Sequence, residues 1–391
     1  MRYSPLVQRI VGQGSGAWAI HVRAAERRRA GEDVIMLSVG DPEFDTPAPV
    51  VEQAVASLRG GRTHYADIAG TPALRAAICA YQRRLTGLEA EPDQVVVTAG
   101  AQCAMYVTAM CLLAPGDEAI VIDPTYVTYP ALLAAAGATV VPVAADADRG
   151  FHVDPERIAR AVTPRTRAVV INSPHNPSGA VLSRAELEAI GAICRRHDLW
   201  LVSDEVYASL TYDTPMTGPG ALPGLAERTV TIGSLSKSHA MTGWRLGWLI
   251  GPAELAAHAA RLALAMLYGS PPFIQDAAVT ALTDPLPELP AMHEAYRRRR
   301  DLVAERLDAV PGLRCAKPEG GMFVMLDIRG LGVEDDAFAD RLLDRFGVSS
   351  LCGHAFGAVG RGHLRLGLTA DEDRLAQACD RIAACAASFR A

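Results

Sequence analysis

The sequence predicts an α/β protein: a mostly parallel seven-stranded sheet flanked by helices, followed by a smaller α+β unit. Three observations predict it. Between about residues 90 and 280, short β-rich runs alternate with helix-length amphipathic segments, the pattern of a parallel sheet covered by helices on both faces. The run Ala168-Val-Val-Ile171 is apolar throughout rather than alternating, as a strand buried on both sides must be. Asp284-Pro-Leu-Pro-Glu-Leu-Pro290 is a proline-rich break, beyond which a long helix rich in Arg and Glu begins.

Taken in order, strands are expected at residues 94–98, 118–122, 139–143, 167–172, 200–204, 229–234 and 246–250. Amphipathic helices lie between the earlier ones, residues 184–197 being an example. Past the proline-rich break, strands are expected at 322–327 and 363–367 and helices at 334–346 and 371–386. This divides the chain into an N-terminal segment, 1–44, packing with the smaller unit, a large unit, 45–284, and a small α+β unit, 285–391. There is no internal repeat and no low-complexity region.

Composition narrows the function classes. The 391 residues are half apolar and 21% charged, enough for a sizeable core in two or three structural units. A formal charge of −6 and a pI near 5.9 argue against an electrostatic nucleic-acid binder, which needs a basic face. The four arginines 297–300 read as a solvated helix face. No signal-peptide h-region follows Met1-Arg-Tyr-Ser-Pro5, and the longest apolar stretches, 104–114 and 262–267, fall short of a bilayer crossing. A cytoplasmic protein is expected, with no membrane partner. None of the eight cysteines forms C-x-x-C or stands at metal-ligand spacing to a histidine, so free thiols and no metal are expected.

In open α/β sheets ligands bind beyond the carboxyl ends of the strands, which directs attention to the strand ends. After 94–98 comes Ala99-Gly100-Ala101-Gln102, leading straight into a helix; small residues and free N–H groups there suit a phosphate. Asp123-Pro-Thr-Tyr126 puts an aromatic ring on the same edge. Ser173-Pro-His-Asn176-Pro-Ser-Gly179 is a rigid turn presenting an amide. Strand 200–204 ends in Asp204-Glu205, with Tyr207 nearby, and an acid closing an apolar run needs a partner. Each has an ordinary structural explanation when taken singly.

The stretch Ser234-Leu-Ser236-Lys237-Ser-His-Ala-Met-Thr-Gly243-Trp-Arg245 is more informative. Of 38 basic residues only Lys237 and Lys317 are lysines. Arginine stays protonated and cannot act as a nucleophilic amine, whereas lysine can. A chain that uses arginine almost everywhere, yet has lysine here between hydroxyls, points to a required amine.

These motifs, in this order, resemble the fold-type I aminotransferases, the aspartate aminotransferase-like family of pyridoxal-phosphate enzymes. The likeness runs from Leu37-Ser-Val-Gly40-Asp-Pro-Glu-Phe-Asp-Thr-Pro47 to His363-Leu-Arg365-Leu-Gly. The combination of N-P-S-G, D-E-V-Y and S-x-S-K followed by T-G-W-R is highly specific. The resemblance implies that Lys237 binds the cofactor as a Schiff base and shuttles the substrate proton. It implies that Asp204 keeps the pyridine nitrogen protonated, that Tyr207 and Asn176 bond the ring hydroxyl, and that Tyr126 stacks on the ring. Gly100, Ala101, Gln102, Ser234, Ser236 and Arg245 would surround the phosphate, with Tyr65 reaching in from the partner of a homodimer. Arg365 would grip the substrate carboxylate bidentately, helped by the backbone near Gly40 and by Asn176.

Several local strings are closer to the arginine–pyruvate transaminases of that family: His64-Tyr-Ala-Asp67-Ile-Ala-Gly70, Ala99-Gly-Ala-Gln-Cys-Ala104, Lys237-Ser-His-Ala-Met and Met266-Leu-Tyr-Gly-Ser-Pro-Pro-Phe-Ile-Gln275. They imply L-arginine as amino donor and pyruvate as acceptor, with Asp67 as candidate carboxylate and Trp18 and Tyr268 as candidate faces for a guanidinium. A different amino donor, or a pyridoxal-phosphate C–S lyase of the same fold, stays open. Other readings fare worse. Ser234-x-x-Lys237 fits the S-x-x-K of penicillin-recognising hydrolases, but no K-T-G accompanies it. Gly12-Gln-Gly14-Ser-Gly-Ala17 fits G-x-G-x-x-A without the strand that a dinucleotide site needs. A cofactor-sensing transcription regulator needs a DNA-binding domain, for which the residues ahead of Gly40 are too few.

Overall fold

The computed structural model describes residues 1–10 and 18–390; the Gly12–Ala17 string lies outside them. After a two-residue strand β1 (Ile35–Met36) come the seven strands of the main sheet: β2 (Val95–Thr98), β3 (Glu118–Asp123), β4 (Thr139–Ala144), β5 (Thr166–Asn172), β6 (Trp200–Asp204), β7 (Thr229–Ser234) and β8 (Gly247–Ile250). Their order is β2-β8-β7-β6-β5-β3-β4, parallel except for β8, which runs antiparallel to both its neighbours. The expected strand ends agree to within one residue. Strands β2, β3, β7 and β8 are buried at every position, as Val- and Ile-rich strands between two helical layers should be. The edge strand β4 is largely solvent-accessible and carries Pro142, which a central strand could not accommodate.

The helices that cover the sheet start where their sequences say. Ser183 caps Arg184–His197, accepting from the Glu186 amide, while Glu186 reaches back to the Ser183 amide, a reciprocal pair that satisfies two otherwise free donors. Gly100 precedes Ala101–Leu112 at φ +89°, a backbone region that strongly favours glycine.

The C-terminal unit contains β9 (Phe323–Asp327), β10 (Val348–Ser349), β11 (Leu351–Cys352) and β12 (His363–Gly367). Strands β11, β12 and β9 form an antiparallel sheet in that order, with Arg365 facing Met325 and Leu351. β10 pairs in parallel with β1, and Ile20, Ala24, Val34 and Leu37 share the core of Phe338, Leu342 and Ile382. The first helix, Pro5–Ile10, goes elsewhere. Its Arg9 donates to the carbonyls of Ala134 and Ala135 at 3.0 and 3.3 Å, at the end of helix Tyr129–Ala135 beside the main sheet. Helix-end carbonyls, which lack partners within the helix, can accept from such a cation.

The arginine run 297–300 is not a uniformly solvated face. Arg299 and Arg300 are buried: Arg299 pairs with Glu43 and stands over Phe44, while Arg300 pairs with Asp213 and stands over Tyr212. Planar guanidinium groups pack on aromatic faces while keeping their ion pairs. Among the described residues no helix is long and apolar enough to cross a membrane.

Candidate active site

The parallel strands place their following residues round one cavity of about 160 Å³, lined among others by Gln102, Tyr126, Asn176, Asp204, Tyr207 and Lys237. Lys237 sits in a single helical turn, Leu235–Ser238, that opens where the Ser234 hydroxyl accepts from the Ser236 amide. Its Nζ donates to the Gly40 carbonyl at 2.6 Å. Burial, and then the charges of Arg365 and Arg245, bring the amine down to about 8 against the opposing pull of Asp41. Such an amine is far more often unprotonated at neutral pH than an exposed lysine.

Asp204 ends β6 at 7% exposure. It accepts from the Tyr129 hydroxyl and, at 3.2 Å, from the Val206 amide. Among the described residues no cation pairs with it, and burial pushes it up to about 6. A buried carboxylate with neutral donors only is well matched to a protonated ring nitrogen. Asn172 ties this acid to the next turn: its Nδ2 donates to the Asp204 carbonyl (2.9 Å) and its Oδ1 accepts from the Asn176 amide (2.7 Å).

Arg365, 2% exposed on β12, reaches Asn176, which lines the cavity. It donates to Asn176 Oδ1 at 3.0 Å and to the Ser38 carbonyl at 2.8 Å, and it stands 4.1 Å over the Phe323 ring. Among the described residues its Nε has no partner and no carboxylate pairs with it. Burial lowers the guanidinium to about 10, so it stays charged. A buried guanidinium held only by neutral acceptors has the chemistry to bind a carboxylate bidentately. Gly40 is needed beside it, since a Cβ there would lie 2.3 Å from the Phe323 ring. Asn176 also lies 3.5 Å from the Tyr207 hydroxyl, a group that burial pushes upward.

At the other end of the cavity, Arg245 donates to the carbonyls of Thr242 and Ala99 at 2.8 and 3.3 Å and pairs with no acid among the described residues. It can lie there because Gly100 has no side chain: a Cβ would fall 2.4 Å from its Nη2. Ala101 and Gln102 open the adjacent helix, and Ser234 and Ser236 hydroxyls lie 2.8 Å apart beside it. Free amides, hydroxyls and a guanidinium converge as a phosphate requires. Tyr126 meets Tyr129 edge to face at 5.6 Å.

Gly40, Gly100 and Arg365 adjoin this cavity through contacts with Lys237, Arg245 and Asn176, which line it, whereas four other candidates do not line it in their own chain. Tyr65 is 83% exposed and packs on Tyr268, itself 53% exposed, at 4.7 Å. Asp67 is exposed on the same loop. Trp18 packs edge to face on His21, whose Nδ1 lies 2.9 Å from the Ser38 hydroxyl. Sequence reasoning missed Tyr129, Asn172, Ser38 and Phe323, whose contacts join residues far apart in the chain. It also overlooked the grouping of Asp336, Cys352 and His354, whose candidate ligand atoms lie within 4.8 Å of one another, although Asp335 already holds His354 at 2.9 Å. A larger cleft of about 570 Å³ opens between residues 147–152 and 304–319. Its acids and bases largely satisfy each other, His152 with Glu319, Lys317 with Glu305 and Arg329 with Asp148.

The family profile described as Aminotransferase class I and II matches residues 32–382. The chain is 59% identical to the arginine–pyruvate transaminase AruH of Pseudomonas aeruginosa over 389 residues, covering 100% of this chain and 99% of that protein. It is 40% identical to the aspartate/prephenate aminotransferase of Thermus thermophilus, covering 94% and 95% of the two chains. Among solved structures, aspartate aminotransferase from Thermus thermophilus with maleate superposes at a TM-score of 0.93 and 39% identity, over 98% of this chain and 100% of that one.

Proposed function

Because this chain belongs to the class I and II aminotransferases, we propose that it transfers the α-amino group of L-arginine to pyruvate on pyridoxal phosphate. The products are 2-ketoarginine (5-guanidino-2-oxopentanoate) and L-alanine. The observation that carries the choice of donor is the 59% identity, end to end, to an arginine–pyruvate transaminase. What supports the cofactor is a set of groups in and beside one cavity: a depressed amine and, among the described residues, a buried acid that pairs with no cation and two arginines that pair with no acid.

Pyridoxal phosphate, when bound, supplies an electron sink and a carrier for the amino group. Lys237 holds it through its amine, and Nζ then carries the proton removed from the donor's α-carbon. Asp204, oriented by Tyr129 and Asn172, keeps the ring nitrogen protonated. Asn176 and Tyr207 would hydrogen-bond the ring hydroxyl, and Tyr126 would stack on the ring. Arg245, Ser234, Ser236 and the amides from Gly100 to Gln102 hold the phosphate. Arg365 and Asn176, with the backbone at Gly40, bind the donor's carboxylate and orient its α-carbon. The exposure of Tyr65 supports a homodimer in which its hydroxyl completes the partner's phosphate site. Asp67 and Tyr268 would travel with it, and Trp18 would act through its place beside His21, which bonds Ser38. Eight free cysteines are in keeping with the cytoplasm.

The holoenzyme mixed with L-arginine, without keto acid, should lose the absorbance of its pyridoxal form and gain that of the pyridoxamine form, and pyruvate should reverse this. Conversion by alanine, aspartate or phenylalanine but not by arginine overturns the choice of donor. Steady ammonia release with the pyridoxal form regained identifies a lyase instead. Lys237→Ala should abolish turnover.

A further inference from the structure

Away from the cofactor cavity, one group of side chains has the chemistry of a metal-ligand set. Asp335 and Asp336 open the helix Asp335–Phe346, Cys352 ends β11, and His354 lies in the short turn Gly353–Phe356 that follows. One donor atom from each of Asp336, Cys352 and His354 lies within 4.8 Å of the other two. Asp335 stands behind them. Its side chain is 1% exposed, and its Oδ2 accepts from His354 Nδ1 at 2.9 Å and from the His354 amide at 3.0 Å. That leaves Nε2 for another partner, and it lies 3.7 Å from Asp336 Oδ1. The separation is long for a hydrogen bond, yet it suits two ligands of one tetrahedral ion, whose edges are about 3.3–3.7 Å. Two further observations point to a cation. Among the described residues neither Asp335 nor Asp336 pairs with a lysine or an arginine, and the buried Asp335 Oδ1 has no hydrogen-bond partner. A helix N-terminus eases two acids there but brings no donor to that oxygen. The turn itself is closely packed: a Cβ on Gly353 would fall 2.0 Å from the Gly360 carbonyl oxygen, which fixes how Cys352 and His354 are spaced.

We propose that Asp336, Cys352 and His354 form a zinc(II) site, with water in the fourth position and Asp335 orienting His354 from behind. Carboxylate, thiolate and imidazole are the ligand types that zinc takes, and a ligating histidine is commonly backed by a carboxylate on its other ring nitrogen. Burial and then Asp336 hold the Cys352 thiol protonated in the ion-free chain. Binding replaces its S–H bond by an S–Zn bond and releases the proton to solvent. The sequence hides this set, because Cys352 and His354 are one residue apart and Asp336 comes from another element.

The test uses the holoenzyme, stripped of metal with a chelator, kept reduced, and titrated with zinc(II) against a competing chromophoric chelator. One ion per chain should bind at about 1 μM or tighter. Cys352→Ser and His354→Gln should each weaken binding about 100-fold, and Asp335→Asn, which removes the charge behind the imidazole, about 10-fold. Circular dichroism and transaminase activity of Cys352→Ser without metal should match the wild type, which shows that the variant is folded. Zinc should also raise the Tm of the wild type and leave that of Cys352→Ser unchanged. A further measurement needs no variant: alkylation of the wild-type cysteines, followed by mass spectrometry. Zinc should slow the alkylation of Cys352 about 10-fold and leave the half-buried Cys79 and Cys111 as they were. Binding no tighter than about 1 mM, binding that persists unchanged in Cys352→Ser, or alkylation of Cys352 that zinc does not slow would each overturn the site.

Discussion

Burying a guanidinium without a counter-ion is costly, and a protein does so where a ligand will supply the missing charge. Arg365 is in that position, with two neutral acceptors, two aromatic rings beneath it and one unpartnered nitrogen. Lysine cannot reproduce its planar fork. Arg365→Lys should therefore raise the arginine concentration that half-saturates cofactor conversion and lower kcat/KM by about 100-fold, measured by stopped-flow absorbance. A loss smaller than threefold would mean that the donor's carboxylate binds elsewhere. At this scale the sequence was informative about identities. Lys237, Asp204 and Arg365 were all legible from motif order. Tyr129 was not, because a tyrosine three residues beyond Tyr126 looks like any core aromatic until β6 brings Asp204 against it.

Between elements, the turn after β4 is tied both to helix Arg184–His197 and to the segment leading into β9. His152 lies 2.8 Å from Glu186 and 3.2 Å from Glu319, and Glu319 also accepts from the Val181 amide. Bonds to Glu186 and then Glu319 raise the imidazole to about 10. Glu186, in spite of burial, is lowered to about 2 by its bond to His152. The stabilisation from the raised histidine is complete below its unfolded value of 6.5 and is lost as pH rises through about 10. That from the lowered glutamate is complete above 4.5 and lost as pH falls through about 2. His152→Gln should accordingly lower Tm most between about pH 4.5 and 6.5, with the gap from wild type closing towards pH 10. A gap that stays constant across that range would rule out the ionic bridge. The element boundaries were nearly all readable, since strand burial and the Ser183–Glu186 cap are local. The departure of helix Pro5–Ile10 from the rest of the N-terminal segment was not, because its anchor is the end of a helix more than a hundred residues away.

For the whole molecule, the exposed apolar side chains Leu264, Met266 and Tyr268, with Tyr65, are in keeping with a face that a second copy covers. If Tyr65 serves the partner's site, two impaired variants should repair each other. A Lys237→Ala chain and a Tyr65→Ala chain, unfolded and refolded together, would form mixed dimers holding one intact site. Random pairing should then restore about a quarter of wild-type activity. No gain over the separately refolded variants would place Tyr65 in its own chain's site or outside any site.

The sequence by itself determined the layered sheet, the positions of its strands and the chemical types gathered at their ends. Periodicity, caps and motif order are short-range, so each can be read without knowing what packs against it. Only the tertiary structure decided which charges are already paired. It showed Arg299 and Arg300 consumed by acids and aromatic rings, and among the described residues it left Arg245, Arg365 and Asp204 without ionic partners. Whether a charge is spent in the fold or kept for a ligand depends on neighbours from distant parts of the chain, and those become neighbours only when the chain folds.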